Sequence, residues 1–152
     1  VLSPEELVAR LAEKKAAEVA ARFPEAVVIG SDTVVELDRE ILGKPHDPDE
    51  AASMLRRLSG REHRVHTAVQ ILSPLGSRSL VSTAEVSFAP MTDREIDWYV
   101  STGEPMDKAG AYGIQGYACR YITGIRGDYY TVMGLPVQQL YCALRDLGIL
   151  TD

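Results

Sequence analysis

Residues 63–88 read HRVHTAVQILSPLGSRSLVSTAEVSF, and this stretch decides the fold class. Apolar or β-branched residues alternate with others from Val65 to Ile71, which is the two-residue period of a strand with one buried face. PLGSRS at 74–79 supplies turn residues, and LVSTAEVSF at 80–88 has the composition of a second strand. We therefore predict an antiparallel hairpin at the centre of the chain.

Helix-starting signals flank this hairpin on both sides. Ser3-Pro4-Glu5-Glu6 and Asp47-Pro48-Asp49-Glu50 each place a capping side chain, a proline and an acid in the order that a first helical turn favours. Thr92, with Glu95 three residues later, predicts a third helix that ends at Gly103. Gly134-Leu135-Pro136 opens the last helix, which Gly148 closes.

Helical spacing predicts the buried faces of the first and last helices. In the first helix the predicted inward residues are Leu7, Leu11, Val19 and Phe23. In the last helix they are Val137, Leu140, Tyr141, Leu144 and Leu147.

Further strands complete the pattern. AVVIGS at 26–31 predicts a strand that breaks at Ser31-Asp32-Thr33 and resumes as VVEL, with a turn at 38–40. CRYITGI at 119–125 predicts another strand. Helices and strands in mixed order, with at least one hairpin, indicate an α/β fold with a mixed sheet.

Composition limits the classes of function. The 152 residues carry a net charge of −6, which argues against a nucleic-acid binder but allows local lysines to hold a phosphate chain. No apolar run is long enough for a membrane helix, and the first residues lack the pattern of a signal peptide. Cys119 and Cys142 lie in no metal-ligand spacing and are expected to be buried thiols. These features suit a cytoplasmic protein.

Three short stretches carry candidate chemistry. Asp32 follows a predicted strand, where a carboxylate can ligate Mg²⁺ or accept a proton from water, although a local turn is the alternative. Lys44, between Gly43 and Pro45, can serve as a point charge for a phosphate or as a solvated loop lysine. GEPMDKAGAYGIQG at 103–116 is either a structural turn or a cleft wall, with the amide of Gln115 suited to a nucleobase edge.

Together these stretches resemble the Maf family of nucleotide pyrophosphatases. The resemblance implies a Maf/inosine-triphosphatase-like fold, with a twisted mixed sheet, flanking helices and a central nucleotide cleft. It also implies hydrolysis of a nucleoside triphosphate, dTTP or UTP, to the monophosphate and pyrophosphate, with Mg²⁺ or Mn²⁺ as cofactor. The matching segments are LAEKKA (11–16), GSDTVV (30–35), GKP (43–45), LSGREHRVHTAV (58–69), TAEVSF (83–88), GEPMDKAGAYGIQG (103–116) and GLP (134–136).

The resemblance also implies a role for individual residues. Asp32 falls on the proposed general base of the family, and Thr33 and Gln115 fall on positions that select the base. Lys15 and Lys44 fall on lysines that face the phosphates. The acids expected to hold or support the metal are Asp32, Glu85 and Asp107.

One family feature has no counterpart in the sequence. Family members carry an N-terminal strand followed by Ser-Pro-Arg-Arg, whose arginines contact the substrate, whereas Ser3-Pro4 is followed here by Glu5-Glu6. Either the sequence is a fragment of a longer chain or the protein has lost these residues. We expect one Maf-like domain over 1–152 without that strand, and weaker catalysis if the segment is truly missing.

Other functions stay open at this point. A nucleotide-binding regulatory module without turnover would need the same residues, and a sister group of the family acts on 7-methyl-GTP. The expected partner is a nucleoside triphosphate, with no nucleic acid and no membrane, and the family resemblance allows a homodimer.

Overall fold

A computed structural model describes residues 1–151 of the chain. The helices are α1 (Pro4–Arg22), α2 (Pro48–Leu58), α3 (Asp93–Ser101), α4 (Tyr129–Met133) and α5 (Val137–Asp146). The strands are β1 (Val28–Leu37), β2 (Glu40–Leu42), β3 (Glu62–Ser73), β4 (Gly76–Phe88) and β5 (Ile122–Arg126). Short 3₁₀ helices cover Glu104–Asp107, Ala109–Ala111 and Tyr117–Tyr121.

The strands of residues 1–151 form a five-stranded sheet in the order β2-β1-β3-β4-β5. β1 pairs antiparallel with β2, and β4 pairs antiparallel with β5. The predicted central hairpin is confirmed as β3 and β4, joined through a tight turn in which Ser73 Oγ donates to the carbonyl of Gly76 at 2.8 Å. The α/β prediction is confirmed as well, because helices accompany one open five-stranded sheet.

The chain divides into two compact units. Unit 1 comprises residues 1–33, residues 66–83 and the chain from Asp128 onward, and unit 2 comprises residues 34–65 and 84–127. Strands β1, β3 and β4 each contribute residues to both units. No helix in the described part of the chain has the length and apolar character that a membrane crossing requires.

The core of unit 1 packs α5 against the hairpin. Its buried members are Val69, Ile71, Leu140 and Ala143, surrounded by Leu80, Leu144, Leu147 and Ile149. The prediction for α5 is therefore right for its leucines but wrong for Val137 and Tyr141, which are 45% and 37% exposed. A ten-residue helix lying on one sheet face buries a single stripe, and those two side chains lie outside it.

The prediction for the buried face of α1 is wrong in most of its residues. Leu11, Val19 and Phe23 are each more than a third exposed. The residues that α1 buries are Val8, Ala12 and Ala16. Small side chains at a four-residue spacing let this helix lie close to β1, and the larger apolar residues remain partly exposed.

β1 also differs from its prediction. It runs without a break from Val28 to Leu37, so Asp32 lies in the middle of a strand and not at its end. The polar side chains of Ser31 and Thr33 do not interrupt the strand because both find hydrogen-bond partners in unit 1, Gly134 O at 2.7 Å and Thr67 Oγ1 at 2.9 Å. The predicted turn at 38–40 is confirmed by the positive φ angles of Asp38 and Arg39.

The region before β5 carries two smaller corrections. Residues 119–121 belong to a 3₁₀ helix, so the strand begins at Ile122 and not at Cys119. Cys119 is exposed and Cys142 is partly buried, contrary to the expectation of two buried thiols.

Unit 2 packs α2 and α3 together with the two 3₁₀ helices that follow α3. Leu55, Leu58, Ile96 and Tyr99 are at most 1% exposed and form its apolar interior. The capping box predicted for α3 is present, since Thr92 and Glu95 exchange side-chain and backbone hydrogen bonds. This packing supports the glycine-rich stretch 103–116, which follows α3 directly.

Candidate functional site

An ion pair between a helix and a strand marks the candidate site in unit 1. Lys15 Nζ lies 2.6 Å from Asp32 Oδ1 and 3.4 Å from the carbonyl of Ser31. The Asp32 side chain is 19% exposed and that of Lys15 is 58% exposed, so the carboxylate is sheltered while the ammonium reaches solvent. Within residues 1–151, Asp32 Oδ2 has no protein partner. Two residues that the sequence assigned to one reaction are thus in contact.

Gly30 makes this contact geometrically accessible. A Cβ at Gly30 would lie 2.8 Å from both Ala12 O and Ala16 N, and 2.9 Å from Ala16 Cβ. Two of these three atoms belong to the backbone of α1 and cannot rotate away. The helix therefore rests on β1 at a distance that only glycine permits, and this distance sets the position of Lys15.

We expect Gly30→Ala to destabilise the protein by about 1–3 kcal/mol, because its methyl group must push α1 away from β1. The free energy of unfolding measured in urea tests this expectation. Gly124→Ala is the matched control, since a Cβ there meets nothing within 4 Å. Equal stability of the two variants would contradict the close packing of α1.

Thr33 belongs to a chain of hydrogen bonds in unit 1. Its Oγ1 lies 2.9 Å from Thr67 Oγ1, and Thr67 in turn donates to the carbonyl of Thr131 at 2.7 Å. Because a threonine has one hydroxyl proton, and Thr67 gives its proton to Thr131, Thr33 must be the donor to Thr67. Thr33 therefore presents oxygen lone pairs, and no proton, to any ligand.

The Gly134-Leu135-Pro136 segment packs beside Asp32 as well. Ser31 Oγ donates to Gly134 O, and a Cβ at Gly134 would stand 3.6 Å from Thr33 Oγ1. The loop that leads from α4 into α5 thus accepts a hydrogen bond from Ser31 and lies close to Thr33.

A pair of potential metal ligands, separate from the Lys15–Asp32 ion pair, also lies in unit 1. His66 Nδ1 is 3.4 Å from Glu5 Oε1 and 2.7 Å from Thr83 Oγ1. Carboxylate and imidazole are both ligands for Mn²⁺, and carboxylate alone suits Mg²⁺. Sequence reasoning assigned neither residue to the site, since only the pairing of their elements brings them together.

A cleft of about 420 Å³ opens beside Lys15, next to the last turns of α1 and the first residues of β1. Most of its lining is apolar, including Val19, Phe23 and Val27. Lys15 is the one charged side chain among the lining residues, so this cleft by itself does not define a triphosphate site.

Lys44 and the stretch that carries Gln115 meet in unit 2. Lys44 is exposed, and the carbonyl of its neighbour Gly43 accepts a hydrogen bond from Gly110 N–H at 3.1 Å. Gly110 has a φ of 72°, and a Cβ there would lie 2.8 Å from Val35 Cγ2. Both the backbone conformation and the close contact with Val35 therefore require glycine. Gln115 is exposed in the turn that follows.

The two other predicted metal acids are paired with cations of the protein. Glu85 contacts Arg126 closely and lies 3.7 Å from Arg64. Asp107 Oδ1 lies 3.3 Å from Lys108 Nζ. A guanidinium or ammonium beside a carboxylate opposes the approach of a metal ion, and these pairs would have to open before either acid could bind one.

His63 is a buried histidine of unit 2 and is 2% exposed. Its Nε2 lies 2.6 Å from Tyr112 Oη, and the rings of Phe88 and Tyr112 meet it edge-on at 5.4 and 5.3 Å between centroids. Burial lowers the pKa of His63 to about 4, so the ring is neutral at pH 7. His63 therefore packs as a neutral ring, and it belongs to no group of three or more potential metal ligands among residues 1–151.

This shift predicts acid sensitivity. The pKa of His63 is 6.5 in the unfolded chain and about 4 in the folded protein. The folded state is therefore most stable, as far as His63 is concerned, above pH 6.5, and this stability is lost as the pH falls from 6.5 to about 4. Over this whole pH range the free energy of unfolding falls by about 3 kcal/mol. Urea unfolding of wild type and His63→Gln between about pH 7 and about pH 4.5 should show a shallower pH dependence for the variant.

His46 provides the matched control. It is exposed, and its hydrogen bond to Glu50 raises its pKa, so its contribution has the opposite sign and is lost as the pH rises. His46→Gln should therefore not flatten the acid limb. Identical slopes for wild type and His63→Gln would contradict the buried neutral state.

Comparison with known proteins identifies the family. The family model described as Maf-like protein matches residues 2–147, and the chain belongs to the Maf family. Similar curated proteins carry the name dTTP/UTP pyrophosphatase. The relative from Bacillus velezensis is 54% identical over 148 residues, which cover 97% of this chain and 78% of the relative. Those from Symbiobacterium thermophilum and Koribacter versatilis are 53% and 48% identical, covering 96% and 97% of this chain and 75% and 76% of the relatives.

Proposed function

We propose that this protein is a nucleoside triphosphate pyrophosphatase that hydrolyses dTTP and UTP to the monophosphate and pyrophosphate. The observation that carries this proposal is the identity of about half of all residues, across nearly the whole chain, with relatives named dTTP/UTP pyrophosphatase. The Lys15–Asp32 pair supports it, since it places a base and a cation side by side, as phosphate hydrolysis requires.

In the proposed reaction, Asp32 accepts a proton from the water that attacks the α-phosphorus. A new P–O bond forms from that water, and the bond from the α-phosphorus to the oxygen bridging to the β-phosphate breaks. Pyrophosphate leaves with the bond electrons. Lys15 and Lys44 would offset the negative charge of the phosphates as point charges.

A divalent ion, Mg²⁺ or Mn²⁺, would supply charge neutralisation on the triphosphate when bound. Asp32 would hold it through Oδ2, which has no protein partner within residues 1–151 while Oδ1 is paired with Lys15, and carboxylate oxygen suits both ions. Glu85 and Asp107 remain predicted metal acids, and each of them, like Asp32, forms an ion pair with a cation of the protein.

Thr33 and Gln115 are proposed to select the base. Thr33 offers an acceptor, as its hydrogen bond to Thr67 requires, and Gln115 offers both an acceptor and a donor. The amide of Gln115 complements the N3–H and one neighbouring carbonyl of a pyrimidine. We place the reaction in the cytoplasm, with the nucleotide as the partner.

The test is a panel of nucleotides with release of pyrophosphate as the readout. We expect dTTP and UTP to be cleaved fastest in the presence of Mg²⁺ or Mn²⁺, and 7-methyl-GTP slowly. Faster cleavage of 7-methyl-GTP than of UTP would assign the protein to the sister activity. Nucleotide binding without pyrophosphate release would assign it to a regulatory module.

A further inference from the structure

The direction of the Gln115 amide depends on the turn that carries it. Gln115 is exposed, so packing of its own side chain does not fix the amide. Residues 113–116 form a turn in which Gly116 N–H donates to Gly113 O at 3.2 Å. Whatever holds the two ends of this turn therefore decides where the amide lies.

Two side chains of unit 2 hold those ends. Gly113 N–H donates to Tyr99 Oη at 3.1 Å, and Tyr117 N–H donates to Glu104 Oε1 at 3.0 Å. Tyr99 O–H donates to Glu104 Oε2 in a close contact that links the two supports. Tyr99 itself is 0% exposed on α3, so the supports are anchored in the interior of the unit.

The turn rests directly on the carboxylate. A Cβ at Gly116 would collide with all three atoms of the Glu104 carboxyl group, and one at Gly113 would lie 3.9 Å from Glu104 Oε2. The absence of a side chain at Gly116 is therefore required by Glu104 and not by the backbone angle of the turn, since Gly116 has a negative φ of −97°.

The hydrogen-bond directions are fixed. Burial, followed by the hydrogen bond to Glu104, raises the pKa of Tyr99, so its hydroxyl keeps its proton across the pH range of the cell. That single proton goes to Glu104, which leaves a lone pair of Oη for Gly113 N–H. Removal of the hydroxyl breaks both bonds at once.

We propose that Tyr99 and Glu104 are positioning residues that hold Gln115 in the orientation that selects the nucleobase. The inference rests on the proposed function, in which Gln115 reads the base. Neither residue needs to touch the substrate, because both act on the backbone on either side of Gln115.

The test measures dissociation constants for UTP, 7-methyl-GTP and inorganic tripolyphosphate by calorimetry in EDTA, so that turnover is not needed. Tyr99→Phe should lower the preference for UTP over 7-methyl-GTP about tenfold, because the misplaced Gln115 amide loses about one hydrogen bond to the base. Binding of tripolyphosphate, which has no base, should stay unchanged. A merely structural defect would weaken all three ligands together and would contradict the proposal.

Tyr121→Phe is the matched control. Tyr121 is 5% exposed and its ring meets Tyr99 edge-on at 6.2 Å, but its hydroxyl contacts neither Gly113 nor Glu104 in the described chain. Tyr121→Phe also removes a tyrosine hydroxyl beside Tyr99, but it should leave the preference for UTP over 7-methyl-GTP unchanged. If Tyr99→Phe does not fold, Gly116→Ala disturbs the carboxylate from the opposite side and should reduce the preference in the same direction.

A double-mutant cycle with Gln115→Ala separates the possible failures. If the proposal holds, Tyr99→Phe has no further effect on the preference once Gln115 is alanine. A full tenfold effect in that background would overturn the positioning role while leaving base reading by Gln115 intact. No change of preference in Gln115→Ala alone would overturn base reading itself, and the positioning role with it.

Discussion

Asp32→Asn is expected to lower the rate of dTTP hydrolysis about 10²–10⁴-fold, the usual cost of losing a general base. Asparagine keeps the shape of the side chain and an oxygen for Lys15, so the ion pair becomes a hydrogen bond and β1 need not move. What disappears is the capacity to take a proton from water. In EDTA, where no divalent ion bridges Asp32 and the phosphates, affinity for the nucleotide should not fall, because one negative charge near the phosphates is removed.

Steady-state kinetics with a pyrophosphate readout, together with thermal unfolding to show that the variant is folded, test this expectation. Asp146→Asn is the matched control. Asp146 is an exposed acid of unit 1 paired with Arg78 at 3.3 Å, and it lies outside the proposed machinery. A folded Asp32→Asn protein with the wild-type rate would remove Asp32 from the role of base.

Gln115→Glu is expected to reverse the preference between nucleobases by up to about 10⁴-fold. Uracil and thymine present an N3–H donor between two carbonyl acceptors, and an amide can accept from the first while donating to the second. Glutamate has no proton to donate at pH 7, and it repels the carbonyl. 7-Methylguanine presents two donors side by side, which a carboxylate accepts well.

The variant should fold normally, because residue 115 is exposed. The measurement is the ratio of kcat/KM for UTP and for 7-methyl-GTP. Lys44→Ala is the contrasting variant, since a point charge on the phosphates does not distinguish bases and its loss should weaken dTTP and UTP equally. An unchanged ratio in Gln115→Glu would exclude the amide from base selection.

Local sequence signals predict the elements of this protein better than the contacts between them. The caps at Ser3, Asp47 and Thr92 are present as expected because each depends on residues within one helical turn. The break predicted in β1 is wrong because Ser31 and Thr33 are satisfied by residues far along the chain. Such partners leave no mark in a short window of sequence.

The face of α1 shows the same limit from the side of packing. Leucine, valine and phenylalanine suggested a buried stripe, but the close approach required by Gly30 admits only Ala12 and Ala16 there. The sequence identified Lys15 and Asp32 through the family resemblance, whereas their contact follows from this packing. Glu104 and Tyr99 were missed, since an ordinary acid and a core tyrosine carry no signal until the turn at 113–116 is seen above them.

The hydroxyl chain from Thr33 to Thr131 has a consequence for inhibitor chemistry. Thr33 donates to Thr67, and Thr67 donates to the carbonyl of Thr131, so both hydroxyl protons point inward. The outermost group of the chain, Thr33 Oγ1, is therefore left with lone pairs only. A ligand that presents an N–H to Thr33 Oγ1 would gain a hydrogen bond. A ligand that presents a carbonyl there would be repelled, because both oxygens carry lone pairs.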